Sequence, residues 1–354
     1  MRAMVVRRFG PPEVFELREM PDPQPAPGQV LIRVKAAGIN FADLLQRMGL
    51  YPGTPHPPFI PGLEAAGIVE SAPSGSAVRP EASPRDAGVQ SADLWPGDRV
   101  VAIATFSAYA ERVAVPAQLV FRLPDGLPFE DAAALPVNYL TAYHSIFHMG
   151  NLQPADRILI HGAAGGVGIA AVQLARARRL VIFGTAGPSK QDVLRQIGVD
   201  HPIDYTREDF TQVVRRVAPE GIEMVMDPIG GKSFSKSYAC LGPTGRLVVY
   251  GFSAAAGPEG RRSLWRGLRA LAAMPRFNPL RLIRQNVAVI GVHLGRMKGR
   301  EALLRRQLEE IFKMYIAGQV KPVIGKTFPL EQAAEAHRYI HARQNIGKVV
   351  LTVE

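Results

Sequence analysis

The chain has 354 residues, a net charge of +11 at neutral pH and an apolar fraction of 47%, which suits two globular domains with sizeable cores. One cysteine, Cys240, excludes an internal disulfide framework and a cysteine-rich zinc site, and fits a reducing, cytoplasmic setting. No apolar run reaches the length of a membrane span, the N-terminal MRAMVVRRFG lacks the apolar stretch of a secretion signal, and the positive charge favours acidic ligands or partners without identifying them.

Residues 1–125 read as β structure, with short β-rich runs at 3–6, 30–36, 67–71, 99–104 and 110–115 punctuated by Pro, Gly and Asp. The proline cluster at 21–27 is a rigid connector. A short helical or turn segment at 40–48 leads into a proline-rich loop at 51–61. Residues 78–95 are polar and aperiodic, and read as a long exposed loop between two strands.

The pattern changes near Phe129. Apolar runs at 157–160, 180–184, 202–205, 224–227, 246–250 and 287–292 alternate with helical stretches, among them 170–178, 190–197 and 210–217. Alternating β and α implies a parallel sheet with right-handed crossovers, and six strands are the count of a doubly wound dinucleotide fold. A helix is expected over 301–318. A last β run at 347–353 is expected to rejoin the first domain's sheet.

The stretch RILIHGAAGGVGIAAVQLA at 157–175 is the centre of the chemistry. A β run ends in a glycine turn from Gly162 to Gly168, and an apolar helix pattern begins at Ile169. The N–H groups of a first helical turn, with the helix dipole, form an anion site that glycines leave open to a pyrophosphate. Ala164, Gly165, Gly166, Val167 and Gly168 are therefore candidate phosphate-binding positions. Alone, such a turn serves equally as a strand-to-helix connection.

The second strand of this region ends Phe183-Gly184-Thr185-Ala186-Gly187, without the carboxylate that bonds the ribose of NAD. Lys190 follows. A small neutral strand end and a nearby cation suit a 2′-phosphate, so NADPH is expected over NADH; Lys190 serves equally as an exposed helix lysine. No histidine pair has ligand spacing and the segment after Val100 lacks the cysteines of a zinc site, so no metal is expected.

Between the last two strands of the parallel sheet, at 246–250 and 287–292, residues 258–286 carry Leu264, Leu268 and Leu271 at helical spacing among seven arginines. One reading is a basic amphipathic helix for a membrane surface or an acidic partner. The other is an arginine-coated cap with its leucines in the core. No aromatic-interleaved basic motif accompanies them, so specific nucleic-acid binding is not expected.

Several motifs now fall in one order. Ala37-Gly38-Ile39-Asn40-Phe41-Ala42-Asp43-Leu44 has Asn40 where zinc-dependent dehydrogenases carry a cysteine, and Pro61-Gly62-Leu63-Glu64-Ala65-Ala66-Gly67 has Leu63 where they carry a histidine. Pro96-Gly97-Asp98-Arg99-Val100, Leu135 to Tyr143, Ala163 to Gly168 and Asn345-Ile346-Gly347-Lys348-Val349 follow. Over nearly its full length the chain resembles the medium-chain dehydrogenase/reductase superfamily, within it the zinc-free quinone oxidoreductase branch, and most closely the vesicle amine transport protein type.

The resemblance implies an α/β fold: a Rossmann doubly wound parallel sheet over 128–295, plus a GroES-like, mainly antiparallel β domain over 1–127 and 296–354. It implies that Gly165 to Gly168 hold a pyrophosphate and that Gly187, Lys190 and Tyr205 surround the adenosine ribose and its 2′-phosphate. Gly251, Phe252, His293, Leu294 and Gly295 would line the nicotinamide end. Asn138 and Thr141, on a supporting helix, and Asn345 would lie near the ring, and Asn40, Asp43 and Tyr51 would face substrate.

The implied activity is hydride transfer from NADPH to a quinone or to the β-carbon of an α,β-unsaturated carbonyl, with Asn40 and Tyr51 as hydrogen-bond donors and the proton from Tyr51 or water. An enoyl-thioester on coenzyme A or an acidic carrier protein is an alternative substrate. A membrane-surface or RNA-binding role for 258–286 is the non-enzymatic alternative. The edge strand at 287–292 would pair a homodimer.

Overall fold

The computed structural model describes residues 1–73, 94–257 and 264–354. Of the loop expected over 78–95 only Leu94 and Trp95 fall within that range, and Leu94 is buried rather than exposed. Residues 258–263 of the arginine-rich segment also lie outside it.

In chain order the strands are β1 (Arg2–Val6), β2 (Phe15–Glu19), β3 (Gln29–Ile39), β4 (Glu64–Ser71), β5 (Arg99–Ile103), β6 (Arg112–Pro116), β7 (Val120–Arg122), β8 (Arg157–His161), β9 (Val181–Ala186), β10 (His201–Asp204), β11 (Ile222–Asp227), β12 (Leu241–Val249), β13 (Ala288–Gly291), β14 (Ile324–Pro329) and β15 (Lys348–Thr352). The helices are α1 (Phe41–Arg47), α2 (Phe129–Ala133), α3 (Pro136–Tyr143), α4 (Gly166–Ala177), α5 (Gln191–Gln196), α6 (Phe210–Val217), α7 (Lys232–Tyr238), α8 (Leu264–Ala272), α9 (Pro279–Gln285), α10 (Glu301–Ile316) and α11 (Ala333–His341).

The chain forms two compact units. The first comprises Met1–Val137, Met297–Ile316 and Val323–Glu354. Its main sheet runs β14-β15-β3-β4-β5-β7, with β6 also on β3, and β1 pairs β2 separately. All these pairings are antiparallel except β14 with β15. In β3 the alternation of the sequence becomes an inside and an outside: Val30, Ile32 and Val34 are buried while Arg33 is exposed. As expected, β15 rejoins this sheet, with Val349 opposite Ile39 and Thr352 opposite Ala36.

The second unit comprises Asn138–Arg296 and Ala317–Pro322. Its six strands are all parallel, in the order β10-β9-β8-β11-β12-β13, the doubly wound order of a dinucleotide fold. Ile158, Leu159 and Ile160 are fully buried, which explains why β8 reads as an unbroken apolar run: helices cover both faces of a parallel sheet. Leu159, Phe183, Val214, Val225 and Leu247 share one core. Helix α4 starts at Gly166, earlier than the expected Ile169, with Gly165 as its N-cap. The periodic signal begins only where apolar side chains do, so glycines of the first turn are invisible to it.

The arginine-rich segment contains α8 and α9. Met274, Phe277 and Leu282 pack against the unit's core, but Leu268 is 58% exposed and Leu271 55%. The expectation of a cap with these leucines in the core is thus corrected. Among the described residues, no helix is long and apolar enough to cross a membrane.

Candidate functional site

In the second unit, β8 delivers the chain to the turn at the sheet's carboxyl edge. Gly162 has φ +65° and a Cβ there would meet nothing within 4 Å; the left-handed conformation and the open space both favour glycine. Gly165 donates its N–H to the Gly162 carbonyl at 2.9 Å, and a Cβ on it would meet only that carbonyl, at 3.3 Å. These two glycines leave a cradle above the turn. Gly166 and Gly168 serve packing instead: a Cβ on Gly166 would strike the Asn138 side chain, and one on Gly168 would come within 2.6 Å of the Ala163 Cα. Ile169 N–H closes the first helical bond onto the Gly165 carbonyl at 2.8 Å. The amides before it point outward with the positive end of the dipole, so the chain's own geometry fits a pyrophosphate.

Other positions gather around the same edge. A Cβ on Gly187 would lie 3.7 Å from the Tyr205 hydroxyl. Lys190 ends the 3-10 turn Pro188–Lys190 and is half-buried, while Tyr205 is exposed. Asn138 and Thr141 are buried on α3, with Asn138 beside Gly166. The Phe252 ring lies against Gly230, and Gly251 approaches the Pro228 carbonyl. His293 is exposed, its carbonyl accepting from Arg296 N–H at 3.0 Å at the 3-10 turn that holds Leu294 and Gly295.

In the first unit, Asn40 caps α1 in a capping box with Asp43. Its carboxamide is already engaged. Nδ2 donates to Glu64 Oε1 at 2.8 Å, and Oδ1 accepts from Lys348 Nζ at 2.7 Å. Lys348 also pairs with Glu64 Oε1, and Glu64 Oε2 accepts the Val137 N–H at 2.7 Å. Glu64 and Lys348 are buried. Removing the ammonium would leave an uncompensated buried anion, at a cost of about 3–5 kcal/mol. Both residues lie inside motifs quoted above, yet their pairing escaped sequence reasoning because nothing local joins β4 to β15.

Asp43 is fully buried. Its Oδ2 accepts the Asn40 N–H at 2.8 Å and the Tyr109 hydroxyl at 3.1 Å. Tyr109 also meets His337 Nε2 at 3.2 Å. Burial above all pushes the Asp43 carboxyl up to about 7, despite the Asn40 N–H and the Lys348 charge. Burial likewise holds His337 well below its usual range. Tyr51 is half-buried in the turn after α1, its carbonyl accepting the Thr54 hydroxyl at 2.7 Å. Asn345 turns its amide onto the Gly347 carbonyl at 3.2 Å. Of the three residues expected to face substrate, Asp43 is sealed inside, Asn40 is tied into an ionic cluster, and Tyr51 keeps partial exposure.

The chain matches the alcohol dehydrogenase GroES-like domain family over residues 26–125 and the zinc-binding dehydrogenase family over residues 197–351. It is similar to the synaptic vesicle membrane protein VAT-1 homolog of Rattus norvegicus, 40% identical over 99% of this chain and 84% of that protein. It is also similar to the quinone oxidoreductase of Homo sapiens, 32% identical over 99% of this chain and 97% of that protein. Among solved structures, Escherichia coli quinone oxidoreductase complexed with NADPH superposes with a TM-score of 0.83 at 28% identity, covering 100% of both chains. The residues at Asn40, Leu63 and Glu64 do not fit the zinc named by one family. Leu63 offers no donor, and Lys348 already neutralises Glu64, so a dication placed there would meet an ammonium. Similarity along nearly its whole length, joined to a doubly wound parallel unit and a mainly antiparallel one, means that the chain belongs to the medium-chain dehydrogenase/reductase superfamily.

Proposed function

We propose that the protein is an NADPH-dependent, metal-free reductase acting on a quinone or on an α,β-unsaturated carbonyl. The observation that carries this reading is the open cradle at Gly162 and Gly165, set at the N-terminus of α4 on the edge of a six-stranded parallel sheet. When bound there, the nicotinamide supplies the hydride. The protein's part is binding, orientation and charge. The turn from Gly165 to Gly168 receives the pyrophosphate, its oxygens meeting the amides of Gly166, Val167 and Gly168 because the Gly165 N–H is spent on the Gly162 carbonyl. Lys190 and Tyr205, beside a strand end without a carboxylate, receive the 2′-phosphate; a charge-assisted bond to Lys190 favours NADPH. Within the second unit Gly251, Phe252, His293, Leu294 and Gly295 are assigned to the nicotinamide end and Asn138 and Thr141 to the ring; the family resemblance adds Asn345 of the first unit. Asn40, its carboxamide also held by Glu64 and Lys348, and the half-buried Tyr51 are the donors to the acceptor oxygen, with the proton from Tyr51 or water. An enoyl-thioester is the alternative acceptor, its phosphates or acidic carrier meeting the arginines of α8 and α9. Among the described residues β13 ends the parallel sheet, and its outer side suits a second copy of the chain; a monomeric mass in solution contradicts that pairing.

A single series tests the reading: fluorescence titration with NADPH and NADH, then NADPH oxidation with a benzoquinone, an enone and a crotonyl thioester, before and after dialysis against a chelator. NADPH is expected to bind at least about tenfold tighter than NADH, one acceptor is expected to turn over, and the chelator is expected to change nothing. Tyr51→Phe is expected to slow the enone about tenfold or more if Tyr51 gives the proton. NADH binding equal to or tighter than NADPH overturns the cofactor assignment; no acceptor oxidising NADPH overturns the reductase.

A second reading, docking on an anionic membrane surface, is supported by the exposed Leu268, Leu271, Leu280 and Ile283 on two arginine-bearing helices.

A further inference from the structure

A buried chain of side chains runs beneath the glycine turn, and none of its members belongs to the cradle itself. His161 ends β8, with Nδ1 3.1 Å from Thr185 Oγ1 and Nε2 3.0 Å from Ser237 Oγ. The Ser237 hydroxyl lies 2.7 Å from Asp227 Oδ2. The Gly162 N–H, first in the turn, donates to Thr185 Oγ1 at 3.3 Å. His161, Thr185, Ser237 and Asp227 are all buried.

Donor counting gives the chain one direction. The Asp227 carboxylate only accepts, so Ser237 must donate to it. Ser237 Oγ then accepts from Nε2–H of His161. A neutral imidazole protonated at Nε2 has an accepting Nδ1, so the Thr185 hydroxyl donates there and its oxygen is left to take the Gly162 N–H. Burial lowers the His161 pKa and keeps the ring neutral. Every bond is satisfied in one arrangement, running from Asp227 to the turn. The Ala163 N–H adds a bond to the Thr185 carbonyl at 3.0 Å, so Thr185 holds two successive amides of the turn.

The same carboxylate reaches a second loop. Asp227 Oδ1 accepts the Ile229 N–H at 2.7 Å and the Gly230 N–H at 3.4 Å, and Oδ2 also accepts the Ser233 hydroxyl at 2.7 Å. Gly230 is the residue against which Phe252 lies. One buried anion thus anchors the loop after β8 and the loop after β11, both at carboxyl ends of strands where a dinucleotide lies across such a sheet.

We propose that Asp227, Ser237, His161 and Thr185 are positioning residues that preorganise the glycine turn and the 229–231 loop together for a dinucleotide. The inference rests on the reductase reading and deepens it. Preorganisation of this kind shows in affinity for the cofactor. Its loss leaves the turnover number at saturation nearly untouched, because none of the four touches the reacting atoms.

The test measures NADPH Kd by fluorescence titration, the unliganded thermal midpoint, and KM for NADPH against kcat, on wild type, Thr185→Val, Thr185→Ser and Ser237→Ala. Thr185→Val and Ser237→Ala are expected to weaken NADPH binding about tenfold, the scale of one buried hydrogen bond. Thr185→Ser, which keeps the hydroxyl, is expected to stay within about threefold of wild type, and kcat is expected to hold. If Thr185→Val and Ser237→Ala melt earlier yet bind NADPH as wild type does, the chain is core packing only and the proposal falls. Should Thr185→Val fail to fold, an unchanged Kd in Ser237→Ala is enough to overturn it. Absence of NADPH binding by the wild type removes the cofactor reading, and this inference with it.

Discussion

Asp43 lies at the third position of α1, fully buried, with both hydrogen bonds on Oδ2 and no partner for Oδ1. Its carboxyl is raised from the usual 3.8 to about 7. The folded protein therefore holds a proton on Asp43 that the unfolded chain has already released. Stability from this group is fully present below about pH 4 and is lost as pH rises through 7. Asp43→Asn keeps an oxygen to accept the Asn40 N–H and the Tyr109 hydroxyl but carries no charge. Relative to wild type, the variant is expected to gain a few kcal/mol between pH 4 and pH 8, at ~1.4 kcal/mol per pKa unit. Urea melts across that range check it; parallel curves for the two proteins would show that the carboxyl titrates normally. Glu64 contrasts with Asp43, since its buried charge has the Lys348 ammonium beside it.

At the scale of the element, the turn from β8 into α4 separates glycines with open space beside them from glycines that admit the helix. Gly165→Ala places a methyl in the cradle with only a 3.3 Å contact to the Gly162 carbonyl. It is expected to weaken NADPH binding about tenfold while the thermal midpoint stays within a few degrees. Gly168→Ala drives a methyl against the backbone of Gly162 and Ala163. Its expected effect is the reverse kind, a stability loss of about 1–3 kcal/mol from overpacking. Equal effects on binding and stability in both variants would contradict the division. All six strands of the parallel unit were legible in sequence: burial writes β8, β9 and β11 as apolar runs, while β13, with no fully buried residue, was legible from its Val and Ile. The strands that went unread are β2, β7 and β14. Four of the five residues of β2 are exposed, β7 has three residues, and β14 mixes Gly, Lys and Thr, so none has a strong pattern. The glycine turn was legible because glycine spacing is local. The Asn40–Glu64–Lys348 cluster and the His161 chain were not, because each assembles polar residues from elements far apart in sequence.

At the scale of the molecule, α8 and α9 form a surface of unusual composition. Leu280 is 65% exposed and Ile283 74%, beside Leu268 and Leu271, with Arg269, Arg276, Arg281 and Arg284 exposed around them. Apolar side chains that enter a lipid interface and arginines that meet its phosphates would act together. In flotation at low salt, the protein is expected to rise with vesicles containing phosphatidylserine and to stay behind with phosphatidylcholine alone. Leu280→Glu with Ile283→Glu is expected to abolish flotation while NADPH binding persists. No flotation of wild type with anionic vesicles disposes of the membrane reading. The placement of β15 has a different bearing, on how the chain is made. The last four residues of β3, Ala36 to Ile39, pair with β15, and Glu64 takes its counter-charge from Lys348 on that strand. On the ribosome, β3 and Glu64 emerge well before β15, and the entire parallel unit is synthesised in between. Until then the nascent antiparallel unit keeps an open strand edge and an unneutralised carboxylate, so the later unit completes first and the earlier one waits for the strand that closes it.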